Sequence, residues 1–200
     1  MKALEQKIIS EGKIFEGDVL KVDCFLNHQI DVAFLNEIGK EFFRLYQPEG
    51  INKILTIEAS GIGVACVTAL NFDPALPVVF AKKSSAKNVG ANLYQSKVES
   101  YTHGRTYDVV VSKDYLKEND RVLIIDDFLA KGSALMALTD LCRQAKATVI
   151  GIGIVIEKAY QGGGALLRQQ GFRIESLAKI ESMNTVDGII FANPNETNSK

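Results

Sequence analysis

Four apolar runs set the architecture: KILTI (53–57), VVFAKK (78–83), VLIID (122–126) and TVIGIGIVIEK (148–158). A strand covered on both faces reads as a nearly continuous apolar run rather than as an alternation, and such strands belong to sheets sandwiched by helices. Helical patterns follow the first and third runs, in GIGVACVTALNF (61–72) and SALMALTDLCRQA (133–145). Strands that alternate with helices pair in parallel. The chain is therefore predicted to fold as an α/β protein with a doubly wound, mainly parallel sheet, and ligands of such sheets sit at the carboxyl ends of the strands.

The flanking segments are less regular. Residues 1–12 read as a short amphipathic helix with Leu4, Ile8 and Ile9 on one side and Gly12 as its stop, followed by a linker. Residues 31–47 place Leu35, Ile38, Phe42 and Leu45 at helical spacing before Pro48 and Gly50. Between the second and third apolar runs, SSAKNVGANLYQS (84–96) is polar and aperiodic. VESYT and TYDVVVS then alternate around His103-Gly104-Arg105 as a hairpin does. A flap on a hairpin is expected over 84–112, and a frayed polar tail over 193–200. The 200 residues suit one domain, 1–200, with a core large enough to need no staples.

Composition excludes several classes. A net charge of −1 argues against a general binder of nucleic acid or anionic membrane. Cys24, Cys66 and Cys142 are far apart, in or near apolar runs, and read as core thiols of a reducing compartment. Two histidines, His28 and His103, without close Cys/His spacing, give no zinc pattern, and no protein metal site is expected. No stretch approaches the roughly 18 apolar residues of a membrane span, and MKALEQKIISEG carries charges where a signal peptide is apolar. A cytoplasmic location is expected.

The chemistry concentrates in VLIIDDFLAKGSA (122–134). Asp126 and Asp127 end a buried strand side by side, where like charges repel and need solvent, a cation or hydroxyl donors. The loop Ala130-Lys131-Gly132-Ser133-Ala134 then leads into a helix. Unpaired backbone N–H groups at such a helix start, with the Ser133 hydroxyl and Lys131 ammonium, form an anion cradle. An ordinary strand-to-helix turn with an Asp cap is equally compatible with those five residues alone. A phosphate in the loop and hydroxyls on the acidic pair together fit a ribose 5-phosphate.

The run of hydrophobic strand, Asp-Asp, two apolar residues and a small Gly-centred loop resembles the phosphoribosyl pyrophosphate signature of the type I phosphoribosyltransferases. VLKVDCFLNHQID, TIEASGIG and GIGIVIEK resemble that family's xanthine-specific branch. Most of the wider family has threonines in the loop where this chain has Lys131 and Ala134, and a glycine at Ser133; the xanthine branch shares the departure.

The resemblance implies that Asp126 and Asp127 hold the ribose hydroxyls and act in catalysis, and that residues 130–134 hold the 5-phosphate. It assigns the diphosphate to Glu58-Ala59-Ser60-Gly61, a loop that in the family often contains a strained or cis peptide. The same four residues also read as a simple strand-to-helix turn. A flap with Lys82, Lys83, Lys87 and Lys97 closes over the diphosphate in the family, although such a loop is more often just solvated. Residues 1–30 would fold over the site as a hood. Leu20 would touch the purine and Asn27 and Lys158 would bond its edge, whereas on residue type alone Leu20 is core, Asn27 a cap and Lys158 a strand-end lysine reaching solvent. The implied reaction is xanthine plus phosphoribosyl pyrophosphate giving xanthosine monophosphate and diphosphate, with Mg2+ bound through the diphosphate, in a homodimer. The alternatives are the same transfer to guanine, hypoxanthine or adenine, or a non-catalytic sensor of phosphoribosyl pyrophosphate.

Overall fold

Backbone groups taken out of water must be paired, and the apolar runs achieve this in one mixed sheet. The computed structural model describes residues 1–84, 92–100 and 105–193. Its strands are β1 (Lys13–Phe15), β2 (Val19–Lys21), β3 (Lys53–Ile57), β4 (Val78–Ser84), β5 (Leu93–Ser100), β6 (Arg105–Ser112), β7 (Arg121–Leu129), β8 (Thr148–Lys158), β9 (Ile174–Asn184) and β10 (Gly188–Phe191). Its α-helices are α1 (Lys2–Glu11), α2 (Val32–Tyr46), α3 (Gly61–Leu70), α4 (Ser133–Ala145) and α5 (Gly163–Gln169).

Strands β3 to β10 form the main sheet in the order β10-β9-β8-β7-β3-β4-β6-β5. The centre, β9-β8-β7-β3-β4, is parallel, as the continuous apolar runs predict. Antiparallel pairs close both sides: β10 on β9, and β6 on β4 and β5. Alternate residues of β7 feed two cores. Leu123 and Ile125 pack with α1, α2 and α3; Val122 and Ile124 pack with α4 and with Leu167 of α5. The sheet is thus covered on both faces.

Strand β3 leads through α3 to β4 on one side, whereas β7 leads through α4 to β8 on the other. The order reverses between β3 and β7. Their pairing ends at Leu55 with Ile124, but β7 continues beside β8 to Leu129 with Glu157. A crevice at the carboxyl ends follows from that mismatch.

Several details differ from the sequence reading. Ile9 is 65% exposed, and only Leu4 and Ile8 of α1 are buried. The segment after Gly12 is no linker: β1 and β2 pair around a left-handed Gly17-Asp18 turn, and a π-helical turn spans Asp23–Asn27. Strands of three residues are too short for an alternation to register. Cys24 and Cys66 are exposed; Cys142 alone of the three is buried, and burial pushes its thiol up to about 12. Helix α5 and strands β9 and β10 had no counterpart in the sequence reading. The β5–β6 hairpin is present, in register Ser100 with Arg105. Residues 85–91, including Lys87, residues 101–104, including His103, and residues 194–200 lie outside the described residues.

The glycines of TVIGIGIVIEK have a packing role. A Cβ on Gly153 would lie 2.6 Å from Ile125 Cδ1 and 2.8 Å from Phe42 Cδ1, so α2 sits directly on the backbone of β8. The Tyr46 hydroxyl donates to the Ile152 carbonyl at 2.8 Å one residue away. Gly153→Val overfills this contact and is expected to cost about 1–3 kcal/mol, read as a lower urea midpoint with an unchanged slope.

Candidate active site

Beyond Ile124 the exposed side of β7 is met by the start of α3. A Cβ on Gly61 would lie 2.2 Å from the buried Thr56 hydroxyl and 3.1 Å from Asp126 Oδ1. Only a glycine fits there. Asp126 is 5% exposed, and its Oδ1 accepts the Asp127 amide at 3.0 Å. Burial, and then the Asp127 carboxylate, push Asp126 well above the ordinary aspartate range, with Lys83 partly opposing them. Burial, and then the Asp126 carboxylate, raise the Tyr107 hydroxyl. Asp126, Asp127, Lys83 and Tyr107 thus share one electrostatic neighbourhood.

Glu58 follows β3 directly, and its carboxylate accepts the Lys83 amide at 2.6 Å, tying the loop to β4. The Glu58–Ala59 peptide is cis. Ser60 precedes α3, whose start has no side-chain cap, so its first N–H groups face the crevice without a side-chain partner.

The loop 130–134 leads into another helix start without a side-chain cap. Gly132 has φ +86°, a left-handed conformation that suits glycine, and its carbonyl accepts the Met136 amide at 2.9 Å as α4 begins. No side chain caps this start either. The loop's outer side faces a cavity of about 920 Å³.

That cavity joins residues far apart in sequence. Ala130, Lys131, Gly132, Ser133 and Ala134 line one part; Leu20, Asn27 and Lys158 line another. Leu20 is nearly buried and Asn27 exposed, so the hairpin β1–β2 and the π-turn form a wall over the sheet. The Lys158 ammonium donates to the Asp18 carbonyl at 2.5 Å and stands 5.8 Å from the Phe128 ring. Half-buried there, it is lowered from 10.5 by desolvation, with Asp18 opposing. Glu58, Ala59, Ser60, Gly61 and the acidic pair do not line this cavity. Tyr107, which the Asp126 charge reaches, does.

Phe128, Asp18 and Tyr160 also line the cavity, and the sequence reading passed over them. Phe128 stands inside the quoted VLIIDDFLAKGSA and was visible as the apolar residue between acidic pair and loop. Asp18 gave no signal, because it meets Lys158 across 140 positions.

Residues 27–166 match the phosphoribosyl transferase domain. Xanthine phosphoribosyltransferase of Lachnoclostridium phytofermentans is 55% identical over 190 residues, covering 95% of this chain and 97% of that protein. The enzyme of the same name from Clostridioides difficile is 54% identical, covering 92% and 96%. This chain belongs to the phosphoribosyltransferase family. Its fold is that of solved adenine phosphoribosyltransferases. The Leishmania tarentolae structure has a TM-score of 0.71 at 18% identity, over 88% of this chain and 87% of that one. The Saccharomyces cerevisiae structure has a TM-score of 0.70 at 20% identity, over 88% and 99%.

The raised Asp126 has a stability signature. Its proton is held more tightly in the folded state than at the unfolded value of 3.8. Between those two values the folded state binds more protons, so stability falls as pH rises through that window and stays lower above it. Asp126→Asn removes the burden and is expected to melt at least about 2 °C higher at pH 7, with a flatter pH dependence above pH 4. A melting curve series from pH 4 to 8 on both proteins checks this.

Proposed function

We propose that this phosphoribosyltransferase transfers the 5-phosphoribosyl group from phosphoribosyl pyrophosphate to N9 of xanthine, releasing xanthosine monophosphate and diphosphate in purine salvage. The observation that carries the reading is the cavity in which an uncapped helix start and the Asn27–Lys158 wall face each other. Relatives with 54–55% identity over nearly the whole chain bear the xanthine name. Residues 1–200 act as one domain, with 1–30 as hood over the base and 84–112 as flap and hairpin.

The difficult step is breaking the anomeric C–O bond. It needs no protein nucleophile, because positioning and electrostatics supply the barrier reduction. Loop residues 130–134 hold the 5-phosphate by backbone N–H groups and the Ser133 hydroxyl. Ribose hydroxyls donate to Asp126 and Asp127, which relieves the repulsion inside the pair and places negative charge beside the developing oxocarbenium ion. Ala59, Ser60 and Gly61 receive the diphosphate at the start of α3, and Glu58 holds that loop on β4.

Among the described residues no group of three or more His, Cys, Asp or Glu is placed to hold a metal ion. Mg2+ would be held chiefly by the phosphates and ribose hydroxyls of the donor and by waters, with Asp126 and Asp127 facing it through those hydroxyls. When bound, it neutralises charge on the leaving diphosphate.

Leu20 packs on the purine face, while Asn27 and Lys158 bond its edge. Xanthine carries an oxygen at C2, where guanine has an amino group and hypoxanthine a hydrogen, so a cationic donor aimed there favours xanthine. No described helix is long and apolar enough to cross a membrane, and the protein works as a cytoplasmic enzyme. Helix α3 carries no charged residue, and its Cys66 and Leu70 are exposed, Leu70 at 71%. That apolar face suits a homodimer.

Turnover on a purine panel tests the reading: xanthine is expected to give the highest kcat/KM. Higher values for hypoxanthine, guanine or adenine would change the base, and no product with any purine would leave a donor-sensing regulator. A charge-assisted hydrogen bond is worth roughly 1.5–3 kcal/mol, about ten- to a hundredfold. Lys158→Ala is expected to lower kcat/KM for xanthine by that factor and for hypoxanthine far less. Asn27→Ala is expected to weaken all bases evenly.

A further inference from the structure

Behind the 130–134 loop, on the side away from the cavity, lies the Gly162-Gly163-Gly164 run that opens α5. None of these three lines the cavity. The Gly163 amide donates to the Ala130 carbonyl at 3.1 Å. A Cβ on Gly163 would lie 2.4 Å from the Ala130 oxygen, 2.4 Å from the Lys131 carbonyl carbon and 2.6 Å from the Gly132 nitrogen. Those are backbone atoms of the loop, which cannot swing aside as a side-chain end does. On the other side, a Cβ on Gly164 would lie 2.0 Å from Glu157 Oε1 and 2.6 Å from Arg168 Nη1.

Glu157 is an ionisable residue that the proposed mechanism does not use. It is 1% exposed, and both its oxygens are engaged: Arg168 Nη1 donates to Oε1 at 2.7 Å, Arg168 Nη2 to Oε2 at 2.8 Å and the Ser176 hydroxyl to Oε2 at 2.5 Å. A forked pair on a buried carboxylate has one geometry. Arg168 also belongs to α5, so the pair fixes that helix against the end of β8. The loop therefore rests on α5, and α5 on Glu157.

We propose that the Gly163-Gly164 step, clamped by Glu157 and Arg168, is the positioning element that sets the shape of the phosphate-binding loop. These residues act through the loop backbone and touch no ligand. The inference rests on the reading of residues 130–134 as the 5-phosphate site. It adds that the site's shape is set by a segment some thirty positions downstream, continuous with the strand end that carries Lys158.

Calorimetric titration with ribose 5-phosphate, and separately with xanthine, tests it on the full chain. Gly163→Ala is expected to weaken ribose 5-phosphate about tenfold or more, with xanthine affinity changed less than about threefold. Arg168→Met is expected to act in the same direction, and Arg168→Lys, which keeps the charge but not the fork, to recover part of the loss. Gly162→Asn is the control: φ is +82° and nothing lies within 4 Å of a Cβ there, so any change in melting temperature should leave both affinities intact. Where Arg168→Met fails to fold, the Gly163→Ala and Gly162→Asn pair still decides. A folded Gly163→Ala with wild-type affinity for ribose 5-phosphate overturns the inference while sparing the site. Wild-type protein that does not bind ribose 5-phosphate overturns both.

Discussion

Strand β7 loses its neighbour β3 after the Leu55–Ile124 pair but stays bonded to β8 as far as Leu129 and Glu157. The active centre depends on that mismatch. Had β3 continued, its backbone would cover Asp126 and Asp127, and α3 would begin too far along to bring Gly61 against Asp126. Because β3 turns into α3 early and β7 into α4 late, two helix starts open at different heights on either side of one crevice. In the proposed function the start of α3 receives the diphosphate and the start of α4 the 5-phosphate, at opposite ends of the same donor.

Two carboxylates deep in the fold show how environment separates a chemical role from a structural one. Asp126 and Glu157 are both almost wholly buried and lie near the ends of adjacent strands. Burial tends to raise both. Glu157 nonetheless ends below the ordinary glutamate range, because Arg168 and Ser176 donate to it. Asp126 has only the Asp127 amide and the charge of Lys83 in its favour, and the second carboxylate works against it. A buried acid with its partners supplied is architecture; one left to wait for hydroxyl donors is a functional-site candidate. The surrounding aliphatic core of β7 and β8 holds Asp126 where solution chemistry would not.

What the sequence made legible follows from how local each signal is. The four core strands, α2, α4 and the acidic pair with its loop each depend on a run of consecutive residues, and their limits agree with the structure to within a few positions. The strands of the hood, which only the family resemblance placed over the site, did not register in the residue pattern, because β1 and β2 are three residues each and their stability comes from packing Leu20, Val22 and Phe25 on the core. The C-terminal layer failed for a related reason. GGG reads as a loop, and nothing nearby reports that its missing Cβ atoms admit the loop at 130–132 and the Glu157 carboxylate. Cys24 and Cys66 lie in apolar runs whose exposed positions one-dimensional patterning does not resolve. Side chains placed by distant backbone remain silent until the chain is folded.

The Lys158–Asp18 bond links that silent hood to base choice. An ammonium has three donors, and one is fixed on the Asp18 carbonyl, leaving two for a bound base. The side chain therefore does not have to be ordered when the base arrives; the rotamer entropy of a lysine, about 2 kcal/mol, is lost already in folding. The same bond ties the left-handed Gly17-Asp18 turn to the end of β8, so the wall that carries Leu20 and Asn27 is joined to the residue proposed to read the purine edge. In the proposed reading, base preference rests on a contact between hood and strand end, and the bond breaking on the crevice of β3 and β7.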